Sequence, residues 1–144
     1  MSARQLTVSL THADGPVGRP PRLKLSLYLS GLRLNDGVQA RGTRAGFPEF
    51  SATAAQFGEL VRTAEAAGFP GRLPKVDGKN DTSDRWAQVL LYLSIDGKSQ
   101  TLDLSLLSSG FEGPDAPLLR RFFSVLLSVA GVRDDSIRFD LVGP

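Results

Sequence analysis

Apolar and polar residues alternate with a period of two in several segments of the chain, the pattern of β-strands with one buried face. In the clearest segment, Leu23 to Leu29, four leucines fall on one side, and Lys24, Ser26 and Tyr28 fall on the other. The alternation resumes after Gly31 at Leu32 and Leu34. The full set of predicted strands is residues 6–10, 23–34, 38–43, 88–95, 102–106 and 136–142.

Two short turn signals connect neighbouring strands. Asn35-Asp36-Gly37 stands between the second and third predicted strands, and Asp96-Gly97 stands between the fourth and fifth. Such residues favour the left-handed conformations of tight hairpins. Strands joined by tight turns pair antiparallel, so the sequence predicts an antiparallel sheet.

Two segments have the 3.6-residue periodicity of amphipathic helices. The first is Thr53–Ala67, where Thr53 and Gln56 have the spacing of a capping box and Gly68 supplies a stop signal. The second follows Asp115, a candidate N-cap, and ends at Gly131. Its apolar stripe is wider than one helix face needs.

The order of these elements predicts an α+β fold in one domain spanning residues 1–144. We expect an antiparallel sheet of five to six strands with two helices on one face, a ββαββα core with additional N- and C-terminal strands. Two glycines and three prolines in residues 12–21 predict a flexible loop there.

The composition is that of an ordinary folded protein. The chain of 144 residues is 41% hydrophobic and 22% charged, close to the globular average. Its formal net charge of only +2 is weak support for a nucleic-acid partner. Neither a secretory leader nor a membrane-spanning segment is recognisable, which predicts a soluble, cytoplasmic protein without a membrane partner.

Few residues could carry catalysis or bind a cofactor. The chain has no cysteine, and its one histidine, His12, is expected to be a solvated residue of the Gly/Pro loop. Nucleophile-elbow, Walker A and Rossmann patterns are not found. The acidic loop Asp77–Asp84 lacks the ligand spacing of an EF-hand. We therefore predict no enzyme activity, no catalytic residue, no metal site and no cofactor.

Candidate interaction residues come from two places. Arg85 and Trp86 follow the charged loop, and arginine and tryptophan are enriched at binding hot spots. On the second helix, Phe122 and Phe123 cannot point in one direction, and Arg120 and Arg121 precede them. Either the first helix or a partner chain covers the excess apolar surface, and the sequence leaves both open.

A series of short features between Leu23 and Ala130 has a recognisable order. They are Leu29-Ser30-Gly31, the helix end at residues 64–69, Leu73-Pro74, Asp84, Tyr92 followed by Asp96-Gly97, and a final leucine-rich helix. The order resembles the emfourin-type domains, small bacterial inhibitors of thermolysin-like metalloproteases. The resemblance covers about three quarters of the chain and implies a small α+β inhibitor.

The sequence as a whole predicts a non-enzymatic protein-binding module that acts on a protein partner or by self-association, and the resemblance to emfourin-type domains implies a small protein inhibitor of a protease. The alternative is a ligand-binding or hydrolytic α+β protein with an unidentified site.

Overall fold

The computed structural model describes residues 4–34, 37–45, 47–78, 85–106 and 111–143. The strands are β1 Arg4–Pro16, β2 Arg22–Leu34, β3 Gly37–Arg44, β4 Phe47–Ser51, β5 Asp77–Gly78, β6 Arg85–Ile95, β7 Lys98–Leu106 and β8 Phe111–Glu112. The helices are α1 Ala54–Ala66, α2 Ala116–Ala130 and α3 Asp135–Val142. Six strands form one antiparallel sheet in the order β4-β3-β2-β1-β6-β7, and β5 pairs with β8. The predicted α+β class is confirmed.

The core lies between one face of the sheet and the helices. The alternation detected in the sequence orients most of the strand residues as predicted, with leucine and valine side chains inward on β1, on β2 from Leu25 to Leu29 and on β6. The prediction is wrong for Leu23, which is 59% exposed and lies where the pairing with β1 shifts register between His12 and Ala13. α1 supplies Phe57 and Leu60 to this core, and α2 supplies Leu119 and Leu126, all at most 1% exposed. Hydrophobic burial on one side of the sheet therefore holds the two layers together.

The first helix and the second hairpin form as predicted. The Thr53 hydroxyl accepts from the Gln56 backbone N–H at 3.2 Å, and the Gln56 side chain accepts from the Thr53 backbone N–H at 2.9 Å. Asp96 and Gly97 have φ of 52° and 85°, the positive values that a two-residue hairpin turn requires. The other predicted turn lies outside the described residues at Asn35 and Asp36.

The C-terminal strand predicted at residues 136–142 is wrong, because this segment is α3. The side chain of Asp134 accepts a hydrogen bond from the Ile137 backbone N–H at 3.1 Å, which caps the helix. Ile137 and Leu141, four positions apart, are buried, whereas Phe139 is 42% exposed. The i, i+4 spacing of the two buried residues fits a helix as well as it fits a strand.

The predicted loop at residues 12–21 is also wrong in its first half, where β1 continues to Pro16. Gly15 and Pro16 pair with Trp86 and Arg85 of β6, while pairing with β2 stops at Asp14. Pro16 thus stands at a strand end where its missing N–H removes no bond to β2. The unpredicted strand β4 likewise tolerates Pro48 because it lies at the sheet edge.

The segment between α1 and β6, which the charged sequence of residues 72–84 indicates to be a loop, contains the short strand β5 at the start of the acidic loop Asp77–Asp84. Residues 79–84, which hold most of the candidate acidic loop, are outside the described residues. Near the loop's beginning, Asp115 accepts two hydrogen bonds from Arg72, at 2.6 and 3.2 Å, and one from the Lys75 backbone N–H at 2.7 Å. Asp115 therefore fastens this loop to the start of α2 and does not cap the helix with its side chain.

Candidate functional site

A buried cluster of ionisable side chains lies where β1, β6 and α3 meet. His12 Nε2 is 2.7 Å from Asp140 Oδ2, and both side chains are 0% exposed. Arg85 joins Asp140 to Asp14: its Nη1 donates to Asp140 Oδ1 at 2.9 Å, and its Nε donates to Asp14 Oδ2 at 3.0 Å. Arg85 Nη2 also contacts both carboxylates.

Strand alternation and one helix turn explain why these residues meet. His12 and Asp14 continue the inward phase of Leu6, Val8 and Leu10 on β1. On β6, Arg85 lies opposite Pro16, two residues beyond Asp14. On α3, Asp140 follows Ile137 by three positions and shares its buried face. The cluster thus extends the apolar face of the sheet with polar residues at its end.

The charges of the cluster balance internally. Arg85 and Lys24 face the two carboxylates, with Lys24 Nζ 3.7 Å from Asp14 Oδ1. Desolvation favours the neutral acid at Asp140, but the hydrogen bonds from His12 and Arg85 outweigh it, so the pKa of Asp140 is lowered. The same bond to Asp140 raises the pKa of Arg85, which stays charged. Because Asp140 is a carboxylate, His12 Nε2 is the donor of the 2.7 Å bond.

This geometry is closed to a substrate. His12 and Asp140 are fully buried, and His12 Nδ1 has no hydrogen-bond partner among the described residues. A general base must reach the proton that it removes, and Arg85 stands between this pair and the solvent. The hydrogen bonds of the cluster connect α3 and β6 to β1, which is a structural role.

The donor atoms of His12, Asp14 and Asp140 lie within 4.8 Å of one another, a spacing that could suit a metal ion. Arg85, however, already places its guanidinium between the two carboxylates and supplies the positive charge there. A metal would have to displace this side chain. The arrangement is therefore better described as an ion-pair network than as a metal centre.

An open cavity of about 950 Å³ lies next to the cluster, at the β1–β2 connection. Arg85 and Asp14 line its inner end, and Arg19, Arg22 and Lys24 line the remainder with three prolines. Arg85 is thus shared between the cluster and the cavity.

Arg85 and Trp86, predicted as interaction residues, hold structure together in this region. The Trp86 side chain is half-buried, and its indole Nε1–H donates to the carbonyl of Arg19 at 3.2 Å. Arg85 belongs to the buried cluster. Trp86 therefore packs the β1–β2 connection against β6.

The four residues predicted on α2 do not form one surface. Phe122 and Phe123 are both 0% exposed, so neither side chain is available as the interaction residue that the sequence proposed, and helices of the chain itself cover them. Phe123 packs edge-on against Phe111 of β8 with centroids 6.1 Å apart, and α1 and α3 also pack against α2. Arg120 lies over the Phe111 ring at 5.2 Å, while Arg121 pairs with Glu59 of α1 at 3.0 Å. The excess apolar surface of α2 is used within the fold.

The opposite face of the sheet is not covered by the helices. Three large side chains that point outward on this face are exposed, namely Tyr28, Leu90 and Tyr92, at 47%, 40% and 38%. Tyr28 and Tyr92 each lie directly opposite Ser9 of β1, one on β2 and the other on β6. We call these three residues with Ser9 and Thr11 the open face.

The buried cluster is not among the sites predicted from the sequence. Continuing the β1 alternation beyond Leu10 to His12 and Asp14 would have indicated two inward polar residues. It would not have identified Asp140, which is 128 positions from His12 in the chain.

Comparison of the chain with protein-family models, with curated proteins and with solved structures found no match. Among the described residues, the helices are too short or too polar to cross a bilayer.

Proposed function

We propose that the protein is a non-enzymatic protein-binding module that binds its partner with the open face of the sheet. The observation that carries this proposal is the exposed set Tyr28, Leu90 and Tyr92, which stands outward on two strands flanking β1. Two strand spacings separate the tyrosines, roughly 10 Å. Tyrosine is enriched at protein interfaces because it offers a large, rigid contact area with a polar end.

The chemistry of the open face favours a protein over a nucleic acid. Between the tyrosines lie Ser9 and Thr11, so that the rings border a shallow trough of small hydroxyl side chains. The outward side chains of the three central strands at the level of the trough are uncharged. A nucleic acid would need cations to neutralise its phosphates. An uncharged surface with aromatic borders fits a protein surface of the same character.

Charged residues on either side of the open face would orient a bound partner. Arg41 on β3 and Asp103 on β7 are exposed, and both lie on the same side of the sheet as the tyrosines. Charges of opposite sign on the two sides favour one docking direction over its reverse.

The burial of the ionic cluster formed by His12, Asp14, Arg85 and Asp140 supports the proposal that the protein is not an enzyme. His12 already donates to Asp140 and lies fully buried. No other histidine or cysteine is present in the sequence to act as base or nucleophile.

Site-specific photo-crosslinking in the native cell tests the proposal. A photoreactive residue replaces Leu90 on the open face, and a matched one replaces Leu118, an exposed leucine of α2 with a similar exposed fraction, 37% against 40%. We expect a discrete protein adduct from position 90, lost when Tyr28→Ser and Tyr92→Ser are added, and none from position 118. Adducts from position 118 alone, or adducts insensitive to the tyrosine changes, would contradict the proposal. An adduct of two copies of the chain would identify self-association.

The sequence resemblance to emfourin-type domains adds a narrower proposal, that the partner is a thermolysin-like metalloprotease. Peptidase activity of such an enzyme, measured with the protein in molar excess, tests it directly. We expect activity to fall with the wild-type protein and to recover with the Tyr28→Ser/Tyr92→Ser variant. Unchanged activity with the wild-type protein would remove this class of partner and leave the crosslinking test of the open face unaffected.

A further inference from the structure

The cavity at the β1–β2 connection has an uneven distribution of charge. Among the described residues that line it, Arg19, Arg22, Lys24 and Arg85 are cationic, and Asp14 is the one acid. The chain as a whole has a formal charge of only +2. Positive charge is therefore concentrated at this end of the molecule.

Asp14 does not neutralise the outer part of the cavity. It is 6% exposed and is held by Arg85 and Lys24 at the inner end. The side chains of Arg19 and Arg22 make no hydrogen bond or ion pair with any described residue. Their guanidinium groups are consequently available to a ligand.

The backbone around the cavity is held in place. The Arg19 backbone N–H donates to the carbonyl of Pro16 at 3.3 Å, and the Arg19 carbonyl accepts from Trp86 at 3.2 Å. Pro16, Pro20 and Pro21 restrict φ and provide no N–H groups. A ligand would therefore meet a preorganised wall whose hydrogen-bond donors are mainly arginine and lysine side chains.

We propose that this cavity binds the phosphate group of a small phosphorylated molecule. Arginine forks match phosphate oxygens, and Arg19 and Arg22 offer two such forks that the carboxylates of the buried cluster do not occupy, with the positive charge of Lys24 beside them. A volume of about 950 Å³ suits one small molecule. This site lies apart from the open face and does not depend on the function proposed for that face.

Titration with inorganic pyrophosphate, followed by ¹H–¹⁵N NMR at constant ionic strength, tests this site. We expect saturable shifts confined to residues 14–24 and 85–86, and weaker binding of citrate, which carries carboxylates only. Arg19→Gln and Arg22→Gln should each weaken pyrophosphate binding about tenfold, since each removes a charge-assisted bond. Arg62→Gln, an exposed arginine on α1, serves as the matched control and should change nothing.

Both tested arginines are exposed, so their variants should keep the wild-type melting temperature. Shifts that do not saturate, or affinities unchanged in the Arg19→Gln/Arg22→Gln double variant, would overturn the proposal. Equal binding of citrate would overturn the assignment to phosphate. A short oligonucleotide that binds the same residues far more tightly than pyrophosphate would overturn the assignment to a small molecule.

Discussion

Nε2 of His12 donates a 2.7 Å hydrogen bond to Oδ2 of Asp140, joining the central strand β1 to the C-terminal helix α3. Neither side chain is exposed to solvent. Each polar group is expensive to bury alone, and the pair becomes tolerable because Arg85 also contacts Asp140. The one histidine of the chain is therefore used to position α3.

Arg85→Ala is expected to destabilise the protein by about 3 kcal/mol, because Asp14 and Asp140 would stay buried without their shared guanidinium. Urea unfolding measures the change. The matched control is Arg138→Ala, which removes a half-buried arginine of α3 and should cost less than about 1 kcal/mol. Equal effects of the two variants would contradict the role assigned to Arg85.

Acid should weaken the attachment of the loop at Arg72. Hydrogen bonds from Arg72 and then from the Lys75 backbone lower the pKa of Asp115 from 3.8 to about 2. A carboxyl group whose pKa is lower in the folded than in the unfolded chain stabilises the fold at pH values above its unfolded pKa. For Asp115 this stabilisation is lost as the pH falls from 3.8 to about 2. Asp115→Asn should therefore lower the melting temperature at pH 6 and differ less from wild type as the pH approaches 2.

The measurement is a series of thermal melts between these pH values. Asp103→Asn, which changes an exposed carboxylate on β7, is the control and should follow the wild-type curve. A melting-temperature difference for Asp115→Asn that stays constant over the whole range would contradict the prediction.

Gly31→Ala should destabilise the protein by about 1–3 kcal/mol through overpacking. An added Cβ would lie 2.6 Å from Cβ of Ala40 and 2.9 Å from Cε2 of Phe57, so that α1 would have to move. Gly58→Ala on α1 is the informative control. The nearest atom to its added Cβ is Arg62 Nη1 at 3.6 Å, and alanine is the better helix former, so this change should stabilise by about 1 kcal/mol. The two glycine variants are thus expected to shift chemical denaturation midpoints in opposite directions.

Phe123→Ala should cost about 3–5 kcal/mol, because it removes a fully buried ring that contacts Phe111 and Phe122. Phe139→Ala makes the same chemical change at a residue that is 42% exposed and should cost about 1 kcal/mol. Denaturant titrations of both variants provide the comparison. A small effect at Phe123 would contradict the burial of this side chain in the core.

Much of the fold follows from local patterns. The inward faces of β1, β2 and β6 are set by alternation, because successive side chains in a strand point to opposite faces. Two other signals are local. The capping box joins Thr53 and Gln56, and the hairpin turn is formed by Asp96 and Gly97, so each lies within a segment of at most four residues. Such signals are visible in the sequence because both partners of each interaction lie in one short segment.

The candidate sites depend on residues that the chain brings together from far apart. Only the tertiary structure makes Asp140 the partner of His12, and only the packing of α1 and α3 against α2 decides that Phe122 and Phe123 are covered within the fold. The alternation of Leu90 and Tyr92 with buried residues shows that they share a face, but not that this face is left uncovered. The sequence by itself thus determined which side chains point the same way. The tertiary structure decided what each face meets, because that depends on contacts between segments distant in the chain.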